Sequence, residues 1–278
     1  VIEYQEIAPS TRFAELVECY WAVSGRVSAG RGAWNRVLPD GCMDVIVNVG
    51  DPTEDGTGVN APRSYAVGMM RAAIRVRHTG LADVVGIRFR PGGAASFLAV
   101  PARELTDSTV PLEDVAPGAV DLESKVHAAG DEGPGNGVER LHARLPVLES
   151  WLGDRYRPTA RDRVVLAIAS GLERTRGCAR LAGLRAPLGV SERTLERRFA
   201  AHVGGSPAEL RTALRVREAA TRLSRDPTTS LAGLAVRCGY HDQAHLTREF
   251  RRLAGITPAA YARERSVGFV QSDEGDVA

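Results

Sequence analysis

Two hydrophobic periodicities divide this chain. Up to about residue 115 the apolar residues come in short β-branched runs. Val45-Ile46-Val47-Asn48-Val49 follows the turn signal Pro39-Asp40-Gly41, and Ile74 and Val76 alternate with Arg75 and Arg77. Val84-Val85-Gly86-Ile87-Arg88-Phe89 ends at Arg90-Pro91-Gly92-Gly93. Runs of this length, punctuated by Gly, Pro and Asp, predict a small sandwich or barrel. Ala94 to Val100 reads as one short helix, stopped by Pro101. Gly130 to Gly137 reads as a flexible acidic loop. After it, Val138, Leu141, Leu145, Leu148 and Leu152 recur at steps of three and four. That spacing predicts an amphipathic helix bent near Pro146, packed within the chain or against a second copy. From residue 158 onward the pattern is helical, and the acidic stretch Val267 to Ala278 is expected to be disordered.

The helical half contains a repeat spaced by about fifty residues. Gly189 is followed by Leu195, Arg197, Phe199 and then Gly204-Gly205-Ser206-Pro207. Gly239 is followed by Leu246, Arg248, Phe250 and then Gly255-Ile256-Thr257-Pro258. Each copy has the grammar of a helix-turn-helix. A short apolar helix precedes the glycine (Leu231 to Val236, entered from Ser230, in the second copy). The glycine permits a sharp turn, and Ser191 or Asp242 then caps a second helix. At roughly 100° per residue, Leu195, Phe199 and Val203 form the apolar side of the first such helix. Arg193, Glu196, Arg197 and Ala200 lie opposite. In the second, Leu246, Phe250 and Leu253 are apolar, Ala244, Thr247, Arg248 and Arg251 lie opposite, and Gln243 stands at the start. Pro207 to Leu223 joins the copies as one helix of roughly 25 Å. Such a rod can hold two recognition helices about 34 Å apart, one DNA turn, in successive major grooves. The expected fold class is therefore α+β. A β-rich sandwich- or barrel-like domain spans 1–129 and a loop with a linker helix spans 130–157. An all-α domain with two helix-turn-helix motifs joined by a long helix spans 158–265, and a tail spans 266–278.

Charge sharpens this division. Residues 1–150 carry 14 basic and 20 acidic side chains, residues 151–278 carry 22 and 14, and all 22 of those bases are arginine. A basic half suggests a polyanionic partner, and the planar fork of arginine suits phosphate and guanine. A solvated arginine-rich surface explains the charge alone equally well. The four scattered cysteines point to a reduced, cytosolic setting. There is no run of 18 apolar residues to cross a membrane, and the N-terminal stretch does not read as a secretion signal.

The two motifs, the long helix between them and the second motif's Gly239-Tyr240, His245-Leu246, Arg248, Phe250-Arg251 and Gly255-Ile256-Thr257-Pro258 resemble the AraC/XylS family of bacterial transcription regulators. The resemblance covers about residues 160–265. LPDGCMDVIVN and VGIRFRPGGAA also resemble the sensor-like domain of one branch of that family. The resemblance implies an N-terminal domain that binds an effector or mediates dimerisation, and a C-terminal domain that binds promoter DNA. Carried over by position, Arg193, Glu196 and Arg197 would contact bases or phosphates from the first motif. Gln243, Ala244, Thr247 and Arg248 would do so from the second, with Arg251 and His245 beside them. The implied partners are double-stranded promoter DNA, a small-molecule effector, a second copy of the chain and RNA polymerase, with regulation as activator or repressor. No cofactor is implied. The first motif departs from the pattern, with Arg185 where the second has Ala235 and with Pro187 in its last turn. It is expected to be splayed or shifted in phase.

Other chemistry competes with this reading. His241-Asp242-Gln243-Ala244-His245 is one substitution from the zinc-hydrolase signature H-E-x-x-H. If Asp242 caps the helix, His241 falls outside it and no third ligand is evident, so contact of His245 with phosphate or base is the stronger reading. Arg90-Pro91-Gly92-Gly93 reads as a plain turn before an anion nest, and Cys42 as a buried cysteine before a redox or alkyl-acceptor group. Trp34, Asp44, His78 and Arg88 are candidates to line an effector pocket, though no spacing ties them together. No catalytic triad spacing, P-loop or nucleotide fingerprint occurs, so the chain does not read as an enzyme. The competing classes are a sequence-neutral architectural DNA binder and a metal-dependent enzyme built on the β domain.

Overall fold

The computed structural model describes residues 2–27, 34–56, 59–131, 137–158 and 162–265. The tail over 266–278 and most of the acidic loop between Gly130 and Gly137 lie outside the described residues. The N-terminal half holds strands β1 (Ile2–Ile7), β2 (Val17–Arg26), β3 (Asn35–Val37), β4 (Met43–Asn48), β5 (Thr53–Asp55), β6 (Ser64–Val67), β7 (Ile74–His78), β8 (Leu81–Phe89) and β9 (Thr109–Pro111). They form an antiparallel six-stranded sheet, β1-β2-β8-β4-β6-β9, and a three-stranded sheet, β3-β7-β5.

Both faces of the large sheet are occupied, because side chains alternate along each strand. Tyr20, Ala22, Val45, Val47, Val85, Ile87 and Phe89 point into one core. Helices α1 (Leu112–Val115), α2 (Val120–Asp131) and α3 (Gly137–Arg155) cover that core with Leu112, Val115, Leu122, Val126, Leu141, Leu148 and Leu152. Cys19, Trp21, Val23, Ile46, Tyr65 and Val84 form a second cluster on the opposite face. Gly86 lies opposite Trp21 across the β2–β8 pair. A Cβ there would fall 2.2 Å from the indole, so only glycine lets the ring lie across the strand.

The helix that follows the acidic loop is packed within the chain, and its buried stripe passes through a charge. Arg144, 2% exposed, sits between Leu141 and Leu148. Its Nη1 and Nη2 donate to the two carboxylate oxygens of Asp83 in β8 at 2.6 and 2.9 Å, and its Nε donates to the Val126 carbonyl at 3.1 Å. One guanidinium thus ties α3 to both the sheet and α2. The single helix expected over Ala94 to Val100 is instead a 3-10 turn, Ala94–Ser96, with a second such turn at Ala102–Glu104. Seven residues give few α-helical bonds for the nucleation cost, and the Ala99 amide donates to Val115 across the fold.

The C-terminal half is helical: α4 (Arg163–Arg174), α5 (Leu181–Arg185), α6 (Glu192–His202), α7 (Pro207–Arg225), α8 (Leu231–Arg237), α9 (Gln243–Ala254) and α10 (Pro258–Arg265). Helix α7 is the axle. Its Leu210 and Leu214 join Ile168, Leu172, Leu195 and Phe199 in one core. Its Val216, Ala220 and Leu223 join Leu234, Leu246, Phe250 and Tyr261 in another. A capping box starts it: Ser206 Oγ accepts from the Glu209 amide at 3.1 Å, and Glu209 accepts from the Ser206 amide at 2.7 Å.

Candidate nucleic-acid interface

The second motif is built as its residues predict. Gly239 closes α8 in a left-handed turn at φ +70°. Asp242 caps α9 by accepting from the His245 amide at 2.7 Å. That hydrogen bond, helped by one from His241, lowers the Asp242 pKa below the ordinary carboxylate value. His241, 90% exposed, stands outside the helix that carries His245 and pairs with Asp242 at 3.2 Å. Gln243, Ala244, Arg248 and Arg251 are exposed, while His245 and Thr247 are half-buried. Thr247 Oγ1 donates back to the Gln243 carbonyl at 2.8 Å. The His245 ring stands edge-on to Tyr240 at 5.2 Å, with Nε2 3.8 Å from Glu249.

The first motif is shallower. Helix α5 runs for only five residues and gives way to a 3-10 turn, Ala186–Leu188, before Gly189 at φ +61°. Neither segment buries a residue, whereas α8 buries Leu234 and Ala235. Arg185 is turned to donate to the Val190 carbonyl at 2.7 Å. Helix α6 itself is regular. Ser191 Oγ accepts from the Thr194 amide at 3.2 Å, Leu195 and Phe199 are buried, and Arg193, Glu196 and Arg197 are exposed.

Three features escaped the sequence pattern. Arg215, 6% exposed in α7, lies with its guanidinium 3.8 Å over the Tyr240 ring. Its Nε donates to the Cys238 carbonyl at 2.9 Å and its Nη2 to the Gly239 carbonyl, so it clamps the turn of the second motif. Next, the β domain grips both motifs. Thr106 Oγ1 donates to the Gly204 carbonyl at 2.6 Å, just past α6. The Ala73 amide donates to the Leu253 carbonyl at 2.6 Å, and Arg36 Nη1 to the Ala254 carbonyl at 2.8 Å, at the end of α9. Arg36 also pairs with Glu264 at 3.2 Å, Arg71 with Glu209 at 2.7 Å and Glu18 with Arg217 at 3.2 Å. The Arg90-Pro91-Gly92-Gly93 turn belongs to this contact, with Arg90 3.3 Å from Glu173.

Finally, a cavity of about 290 Å³ lies between the two sheets. Three of the four candidate pocket residues, Asp44, His78 and Arg88, line it. Trp34 is turned away to stack on Arg75 and Arg77. Burial lowers the pKa of His78 and favours its neutral form. Burial likewise raises Asp44 from the ordinary 3.8 to about 6, against the pull of Arg88. Cys42 is buried, as expected, with its thiol 3.1 Å from Glu18.

Two helix-turn-helix motifs thus share one helix, each with a capped second helix and an exposed arginine face. Residues 184–264 match a family model described as a helix-turn-helix domain. Residues 5–111 match a domain of unknown function, DUF6597. The HTH-type transcriptional regulator RipA of Corynebacterium glutamicum is 42% identical over 73 residues, 26% of this chain and 22% of that protein. An AraC-like transcription regulator of Streptomyces lividans is 36% identical over 129 residues, 45% of this chain and 40% of that protein. The matched stretches thus span less than half of either relative's length. Among solved structures, ToxT from Vibrio cholerae is similar at TM-score 0.47 and 9% identity, over 88% of this chain and 98% of that one.

Proposed function

We propose that the chain is a sequence-specific transcription regulator. In this reading α6 and α9 enter successive major grooves of promoter DNA and the β domain modulates their binding. The observation that carries it is the pair of capped helices on one axle, each burying Leu and Phe while exposing arginines. Arg193, Glu196 and Arg197 serve on α6, and Gln243, Ala244, Thr247, Arg248 and Arg251 on α9. His245, wedged between Tyr240 and Glu249, keeps a polar edge near the DNA. Phosphate contacts position the helices and base contacts specify the site. Each bidentate arginine–guanine pair contributes about 1–3 kcal/mol of discrimination. Modulation runs through the contacts that the β domain makes at Gly204, Leu253 and Ala254.

The test begins with fragments selected from random duplexes, followed by titrations on the selected site and on its single-base variants. Arg197→Ala and Arg248→Ala are expected to relax specificity at one position each. Arg251→Ala is expected to weaken binding to all sequences alike. Equal weakening at every site by all three variants would overturn the assignment of readout residues. Failure to select any consensus would favour sequence-neutral binding.

A further inference from the structure

The cavity between the sheets has a chemistry of its own. One wall is aromatic: Tyr4 and Trp21 stack with centroids 6.1 Å apart, and Tyr65 faces the same space. The opposite wall is aliphatic, with Ile74 and Val76 from β7. Most ionisable groups on the lining are already matched. Arg36 pairs outward with Glu264, and Glu54 pairs with Arg77. What remains is the floor. There a single guanidinium, Arg88, is shared by three carboxylates, Glu6 at 3.6 Å, Asp40 at 3.7 Å and Asp44 at 3.4 Å. The Nε of Arg88 has no hydrogen-bond partner among the described residues, so none of the three holds it closely. Of the three acids, Asp44 is the one on the cavity lining. Among the described residues its hydrogen-bond donor is the Trp21 indole, at 2.7 Å.

Negative charge is therefore in excess beside the aromatic wall. An anionic ligand would approach a floor in which three carboxylates surround one arginine, with Asp44 itself on the lining. A cation would meet a carboxylate and the negative faces of aromatic rings. We propose that this cavity binds a hydrophobic organic cation, an aryl-substituted ammonium, with Asp44 as its counterion and Tyr4, Trp21 and Tyr65 enclosing its charge. The inference rests on the reading of the β domain as the modulating half. The walls also supply a route. Arg36 and Ile74 line the cavity, and Arg36 and Ala73, next to Ile74, hold the end of α9.

Three probes with one ring system isolate charge: naphthylmethyl-trimethylammonium, naphthylmethanol and naphthylacetate. Isothermal titration of each into the full chain is expected to rank them cation, neutral, anion, with about tenfold between the first and last. Asp44→Asn is expected to erase most of that preference. Val76→Trp, which fills the cavity from the aliphatic wall, is expected to abolish binding of all three and guards against a misfolded Asp44 variant. Cation affinity should fall as pH drops from about 7 to about 5, because the carboxylate at Asp44 takes up a proton. The groups facing that carboxylate are Arg88, Trp21, Glu18, Asp40 and Tyr65, with Glu6 behind Arg88. Equal or tighter binding of naphthylacetate overturns the proposal, and so does failure of the cation to bind. DNA titrations on the same samples separate the two readings. Intact site-specific DNA binding with no cation preference would sink the ligand class and leave the regulator standing.

Discussion

Replacing Arg215 by Met should loosen the second motif without touching any exposed arginine. Met keeps the apolar stem and removes three interactions. The bond to the Cys238 carbonyl is a charged hydrogen bond in a buried setting, and such bonds contribute about 1.5–3 kcal/mol. The guanidinium over Tyr240 is shielded from water, where a cation–π contact contributes about 2 kcal/mol. The bond to the Gly239 carbonyl is partly solvated and adds roughly 0.5 kcal/mol. Against these stands the cost of burying the charge, several kcal/mol before its partners are counted. The net expected loss is about 2–4 kcal/mol, or about 4–16 °C in melting temperature at ~2–4 °C per kcal/mol. Urea and thermal denaturation of the full chain measure it. Arg215→Lys, which retains a cation but not the fork, should lose about half as much. In DNA titrations the Met variant should lose affinity for the half-site read by α9 and retain the contribution of α6. A loss below about 1 kcal/mol for the Met variant, or identical behaviour of Met and Lys, would refute the clamp.

Two further predictions concern the other arginines that the fold buries or matches. Arg144→Met should destabilise the chain by about 3–5 kcal/mol, since it strands the Asp83 carboxylate in the core. The double variant Arg144→Met, Asp83→Leu should recover much of that loss in urea denaturation. A double variant as unstable as the sum of the singles would show that the pair is not the cause. Arg36→Ala should raise amide hydrogen exchange about 5- to 30-fold in the segment from Ala254 to Glu264, as expected for about 1–2 kcal/mol of lost local stability. Unchanged protection there would mean that the β domain does not brace the end of α9.

What could be read along the chain was local. Ser191, Gly189, Asp242 and Gly239 each act within a few residues. The caps and left-handed turns they imply are where α6 and α9 begin and where their preceding turns fall. The same holds for the alternation that places Ile74 and Val76 on the cavity and Arg75 and Arg77 on the other side. The short helix expected before Pro101 failed for a non-local reason, since the backbone there bonds to Val115. The cavity was legible only in part, through Asp44, His78 and Arg88, and its aromatic wall was not, for the same cause. Tyr4, Trp21, Asp44 and Tyr65 lie on four strands, and only the order β1-β2-β8-β4-β6 brings their faces together.

Arginine is where local reading fails most systematically. A periodicity argument assigns every arginine to solvent, and for Arg193, Arg197, Arg248 and Arg251 the exposure agrees. Arg88, Arg144 and Arg215 look the same in sequence and lie within 8% exposure. Each sits on the buried side of a regular element, so each occupies a place that the apolar pattern reserves for a hydrophobe. Each also reaches at least one element that lies apart from its own in the chain. Arg144 ties α3 to β8 and α2, Arg215 ties α7 to the α8–α9 turn, and Arg88 joins β8 to acids on β1 and β4 and in the turn before β4. In a chain with 36 basic side chains, of which only Lys125 is not arginine, the fold sorts one residue type into two jobs. An arginine in an apolar stripe carries the long-range information, and an arginine opposite that stripe stays in solvent.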